Sequence, residues 1–123
     1  MISNRRCAIK CPEEGSPDFH GFPDGCTIAD DDSIFIAFWA GGCVARYNPT
    51  TGALMRKYKV PFASQVTSCA FGGPNLDQLY ITTASAGLPA GAIDGDERNA
   101  GHLFVLDLSG EGVRGVESFS YKL

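Results

Sequence analysis

Residues 21–52 read G-F-P-D-G-C-T-I-A-D-D-D-S-I-F-I-A-F-W-A-G-G-C-V-A-R-Y-N-P-T-T-G. The apolar runs in this stretch are short, rich in β-branched and aromatic residues, and cut by turn residues every few positions, which is the signature of strands. Strands are expected at Cys26–Ala29, Ile34–Trp39 and Cys43–Tyr47, with a fourth just beyond at Leu54–Val60. Between them stand an acidic turn at Asp30–Ser33, a glycine turn at Ala40–Gly42 and the N-P-T-T-G turn at Asn48–Gly52. Proline and glycine occupy the places a hairpin loop wants them. Four strands joined by three tight turns predict one antiparallel meander.

Downstream the pattern recurs. Val66–Phe71, the turn G-G-P-N-L-D, Leu79–Thr83, a long loop, Leu103–Leu108, the turn S-G-E-G and Val113–Tyr121 follow the same order. Laid on the first unit, Cys69 falls on Cys26, Phe71 on Ile28, Leu79-Tyr80-Ile81 on Ile34-Phe35-Ile36, Gly101 on Gly42 and Asp107 on Asn48. A unit of four strands every roughly 40–50 residues marks propeller blades. A β-sandwich also gives short strands with regular turns, but an in-register repeat favours the propeller. The fold class expected is all-β: a partial β-propeller of about two four-stranded antiparallel blades plus a leading strand. Residues 1–22 form that leading strand (Cys7–Lys10) and a polar loop, residues 23–61 the first full blade and residues 62–123 the second. No stretch reads as a helix.

Bulk properties exclude several classes. The chain has 123 residues, enough for one core. A net charge of −4 gives no basic footprint for nucleic acid or an anionic membrane surface, and no apolar run approaches the length of a membrane span. The opening MISNRRCAIK lacks the apolar core of a secretory signal. The five cysteines, at 7, 11, 26, 43 and 69, are odd in number and form no C-x-x-C pair. Reduced, structural thiols and a cytoplasmic protein are therefore expected. Two blades alone would expose sheet edges and an apolar face, so a homo-oligomer formed through exposed blade edges is expected as well.

The run Gly21–Gly52 resembles the senescence marker protein 30 (regucalcin)/gluconolactonase/luciferin-regenerating-enzyme-like family, whose members read P-D-G, a hydrophobic strand, a small turn, a W-V-A-like strand, G-G, R-hydrophobic-D/N-P and G. Val66–Ala84 and Ala100–Leu108 are similar to that family's next blade. The resemblance implies the C-terminal part of a six-bladed propeller with one divalent cation at the end of its central channel. It implies calcium or zinc, with magnesium or manganese also compatible, held by a glutamate, an asparagine and the aspartate of P-D-G. Only the aspartate has a counterpart here, Asp24, and the other two would lie before Met1. This chain alone need hold no ion. Asp24 is thus the expected metal ligand and, as a carboxylate beside the ion, the expected catalytic base. The implied substrate is a small-molecule sugar lactone, if the site is completed; the alternative is a non-catalytic propeller module that binds or scaffolds and self-associates. A truncated product that folds by pairing with its own copy is a third reading.

Other candidates carry less. P-D-G by itself favours a plain turn. Thr67, in Asp24's place in the second unit, is a poor ligand that could line a pocket. Asp30-Asp31-Asp32 lacks a calcium-loop pattern and reads as a solvated turn. Asp94, Asp96 and Glu97 read as a solvated loop that could overhang the site. His20 and His102 have no partner at ligand spacing and read as packing or surface residues. Phe38 and Trp39 are expected between blades.

Overall fold

A computed structural model describes residues 3–120. It contains seven strands in two antiparallel sheets. The first sheet runs β1 (Phe22–Ile28), β2 (Ile34–Trp39), β3 (Cys43–Tyr47) and β4 (Leu54–Lys59), in that spatial order. The second runs β5 (Val66–Gly72), β6 (Gln78–Thr83) and β7 (Leu103–Asp107). Two single 3-10 turns, Ala92–Asp94 and Ser109–Glu111, are its helical elements. The register bears out the internal repeat. Cys26 pairs with Ile36 and Ile36 with Ala45, while Cys69 pairs with Ile81 and Ile81 with Phe104. Gly42 and Gly101, the equivalent residues before β3 and β7, both take a left-handed backbone, at φ +59° and +85°, which glycine adopts without steric cost.

Alternation along each strand decides what is buried. Phe35, Ala37, Val44 and Tyr58 of the first sheet face Cys69, Leu79 and Ile81 of the second and form the principal core. Phe35 packs edge-on against Phe71 of the second sheet and stacks on Tyr58 of its own. The opposite face of the first sheet buries Ile36, Phe38, Cys43, Ala45 and Tyr47 under a leader segment, with Ile9 and Cys11 packed against them. His20 seals this second cluster. It is buried, its Nδ1 lies 2.8 Å from the Asp18 carbonyl, and its Nε2 lies 2.8 Å from the Tyr47 hydroxyl. A carbonyl can only accept, so Nδ1 carries the proton in the neutral ring and Nε2 accepts from Tyr47. Burial pushes the Tyr47 hydroxyl up to about 12, which keeps it a donor across the physiological range.

Several expectations are corrected. Cys7–Lys10 is irregular rather than a strand. The second sheet has three strands in place of the four expected for a blade. The fourth, expected at Val113–Tyr121, has its last residue outside the described residues. Residues 113–115 instead cross the seam between the sheets, with Val113 in the core. Gly115 bridges Ala29, its amide donates to Leu76, and the Arg114 carbonyl accepts from Asp30. A Cβ at Gly115 would collide with the Phe71 ring, so only glycine lets the backbone lie so close. β1 begins four residues earlier than expected, taking Pro23 and Asp24 into the strand; as the sheet's edge strand it tolerates a proline. Phe38 is buried beneath the leader rather than between sheets, Trp39 is partly exposed against Phe22, and Cys26 is exposed.

Candidate functional site

Three features gather at one end of the two sheets: the start of β1 with Asp24, the Ala40–Gly42 turn with the crossover from β4 to β5, and the long loop between β6 and β7. Hydrogen bonds tie the last two together. Gly42 donates to the Ser64 carbonyl at 2.9 Å, and Val60 donates back to Gly42 at 2.8 Å. Glu97 accepts from the Ser64 amide at 2.8 Å. The Asn99 backbone and side chain donate to the Phe62 and Pro61 carbonyls at 3.0 and 3.1 Å. The Arg98 guanidinium lies over the Phe62 ring. The loop is therefore latched to the crossover. Glu97, expected to be solvated, is one of its fasteners, while Asp94 and Asp96 are exposed. Between turn, crossover and loop opens a cleft of about 500 Å³ that reaches Lys59, Asp96 and Glu97.

Asp24 sits on a bulge. Pairing passes from Pro23–Phe38 to Cys26–Ile36, so Asp24 and Gly25 together oppose Ala37. An extra residue bends the strand and re-aims its side chain. Gly25 is required here because a Cβ would run into the Ser68 side chain of neighbouring β5. β5 bulges at the matching place: pairing passes from Val66–Thr83 to Ser68–Thr82 and leaves Thr67 over. The two inner strands are thus built alike, with their bulges side by side. Their side chains differ. Thr67 Oγ1 lies 2.8 Å from Thr82 Oγ1, so its hydroxyl is satisfied within its own sheet. Asp24 is exposed and takes part in none of the ion pairs among the described residues.

The other sequence candidates are placed elsewhere. Asp31 accepts from the Ser33 amide at 3.0 Å and from its hydroxyl, and pairs with Arg46. Partial burial works against its charge, but the Ser33 hydrogen bonds and the Arg46 guanidinium prevail and hold its carboxyl below the ordinary value. It is a turn fastener at the end away from Asp24. His20 is a packing residue, as above, and His102 is exposed. All five cysteines are free. Cys69 is buried against the Phe35 carbonyl, and burial pushes its thiol up to about 12, which suits packing and not nucleophilic chemistry.

Among the described residues no group of three or more His, Cys, Asp or Glu side chains stands close enough to hold a metal ion. One exposed carboxylate supplies a single donor where a hard divalent cation takes six or more oxygens. The described residues do not by themselves fit a metal site. No described helix is long and apolar enough to cross a membrane.

The sequence pattern of the SMP-30/Gluconolactonase/LRE-like region matches residues 1–85. Pentonolactonase XacC of Haloferax volcanii is 44% identical over 100 residues, 79% of this chain and 34% of that protein. Regucalcin of Danio rerio is 37% identical over 120 residues, 98% of this chain and 38% of that one. Among solved structures, a calcium-binding regucalcin of Agrobacterium tumefaciens superposes with a TM-score of 0.73 at 32% identity, covering 84% of this chain and 33% of its own. A luciferin-regenerating enzyme superposes at 0.67 and 33% identity over the same shares. The chain spans a little over a third of the curated relatives it matches.

Proposed function

The chain belongs to the SMP-30/gluconolactonase/LRE-like family, and on that premise we propose that it is the two-blade portion of a divalent-metal-dependent sugar-lactone hydrolase, inactive or nearly so by itself. Asp24 is the group this portion contributes to the site. The observation that carries the reading is its setting: an exposed carboxylate, outside every ion pair among the described residues, on the bulge of the innermost strand, at the end where the latched loop also stands. The bulge presents the side chain, and Gly25 locks its backbone against β5. In a completed ring the remaining oxygen donors would come from other blades, with calcium or zinc as the fitting ions. The long loop would border the opening through which a lactone enters. The non-catalytic alternative draws on the single donor and the missing cluster; a scaffold has no need of either.

Proton release from aldonolactones, followed with and without calcium or zinc, tests this. The chain alone should show no hydrolysis above the buffer rate. Mixed with the N-terminal two thirds of the Haloferax pentonolactonase, it should restore turnover, and Asp24→Asn should remove at least a hundredfold of it. Turnover by the chain alone, or a reconstituted activity indifferent to Asp24→Asn, would overturn the assignment.

A further inference from the structure

The outward face of the second sheet repeats the face that the first sheet buries. The shared register places Tyr80 on Phe35, Leu103 on Val44 and Val105 on Arg46. Phe35 and Val44 are fully buried against the second sheet, whereas Tyr80, Leu103 and Val105 are 37%, 64% and 59% exposed. An apolar strip of this kind is an interface without its other half. The same sheet also lacks a strand: β7 is its edge, and no described strand pairs beyond it.

The leader has the opposite surplus. Residues 7–10 pair with no strand, yet lie against the first sheet much as β4 lies against the second. From β4, Tyr58 joins the core between the sheets and its hydroxyl donates to Glu111, with Arg56 paired to the same carboxylate. From the leader, Ile9 packs on the first sheet's far cluster, Arg6 donates to the Pro49 carbonyl, and the Ala8 carbonyl sits beside Gly52. Gly52 is the repeat position of Glu111. The leader therefore stands where the outer strand of a preceding sheet would stand.

Resting on the propeller reading above, we propose that the sheet completed by the leader is the second sheet of another copy of this chain. The leader of one copy adds antiparallel to the β7 edge of its neighbour. Cys26, Ile28 and Ile34, the repeat positions of Cys69, Phe71 and Leu79, cover the neighbour's Tyr80, Leu103 and Val105. Arg5 and Arg6 then approach the Asp107 end of β7, so opposite charges meet. The contact is head-to-tail, and such contacts close into rings when the rotation allows. Matched relatives are about three times as long as the segment that fits them, so three copies make one ring.

Light scattering on the full chain across a range of concentrations should plateau at three chain masses. Laid on the Arg46–Arg56 pair of the first sheet, the leader sets Cys7 opposite Val105. Val105→Cys should therefore crosslink under diamide, two thiols giving two electrons and two protons to the oxidant as the S–S bond forms. Bands of two and three chains should appear on a denaturing gel and vanish when Cys7→Ser is added. Leu103→Lys should yield single chains that keep the β circular-dichroism signal. A plateau at one or two chain masses, a mass that climbs without limit, no Cys7-dependent crosslink, or a three-chain Leu103→Lys variant each overturns the proposal. None of these readouts involves lactone or metal, so failure here leaves the lactonase reading to its own assay.

Discussion

The two sheets carry the same ladder and live in different surroundings. The first is covered on both faces, by the second sheet on one side and by the leader on the other. The second is covered on one face only. Equivalent positions accordingly carry different burdens, and sequence similarity between the repeats does not predict which residue matters. Phe35 and Tyr80 are the clearest pair, both aromatic, one sealed in the core and the other a third exposed.

That contrast can be broken by mutation. At a concentration where light scattering gives one chain mass, Phe35→Ala should lower unfolding stability by about 3–5 kcal/mol, by lost transfer energy and a residual cavity. Tyr80→Ala under the same conditions should cost less than about 1 kcal/mol. Equal costs by urea denaturation would erase the distinction between the faces. The bulges offer a second comparison. Gly25→Ala should cost about 1–3 kcal/mol by overpacking against Ser68. Adding Ser68→Gly should recover part of it, since the Ser68 Cα stays close, a coupling that a double-mutant cycle reads directly. Removing the leader's seal is a smaller change: His20→Ala leaves the Tyr47 hydroxyl without its buried acceptor, at about 1–2 kcal/mol.

The smallest effect is acid-dependent. The folded chain holds the Asp31 carboxyl below its ordinary value. Its stabilising contribution is therefore complete above about pH 4, the unfolded value, and drains away as the pH falls through the lower folded one. The group is partly exposed, so solvent screening keeps the contribution small. Asp31→Asn should flatten the acid limb of a thermal-melt series and leave the neutral limb nearly unchanged in slope.

Much of this architecture was legible in the residues. β2 and β3 lie where the alternation put them, and the equivalences of Cys69 with Cys26 and Ile81 with Ile36 hold in the ladders. The misses have physical causes. P-D-G carries a strong local turn preference, but pairing of Phe22 and Pro23 with Trp39 and Phe38 overrides it and draws Asp24 into β1. Residues 113–120 offer some alternation, yet Gly115 suits a close crossing at residues 114–115 better than an edge strand. Glu97 is a fastener only because the crossover amide of Ser64, far away in sequence, comes to meet it. Of the site, sequence offered Asp24; that its backbone is a bulge mirrored at Thr67 needed the register.

The crossing at Arg114–Gly115 also bears on how the chain assembles in time. It joins the β1–β2 turn and the β5–β6 turn to a segment distant from both along the chain. Hairpins form in microseconds from neighbours in sequence, while contacts of such long range must wait for the entropy of a large loop to be met. Each meander can therefore form early, and the clasp fastens last. A chain interrupted before that step would hold two intact hairpin sheets with an unfastened seam, and the Phe71 side of the core would be the part left open to aggregation.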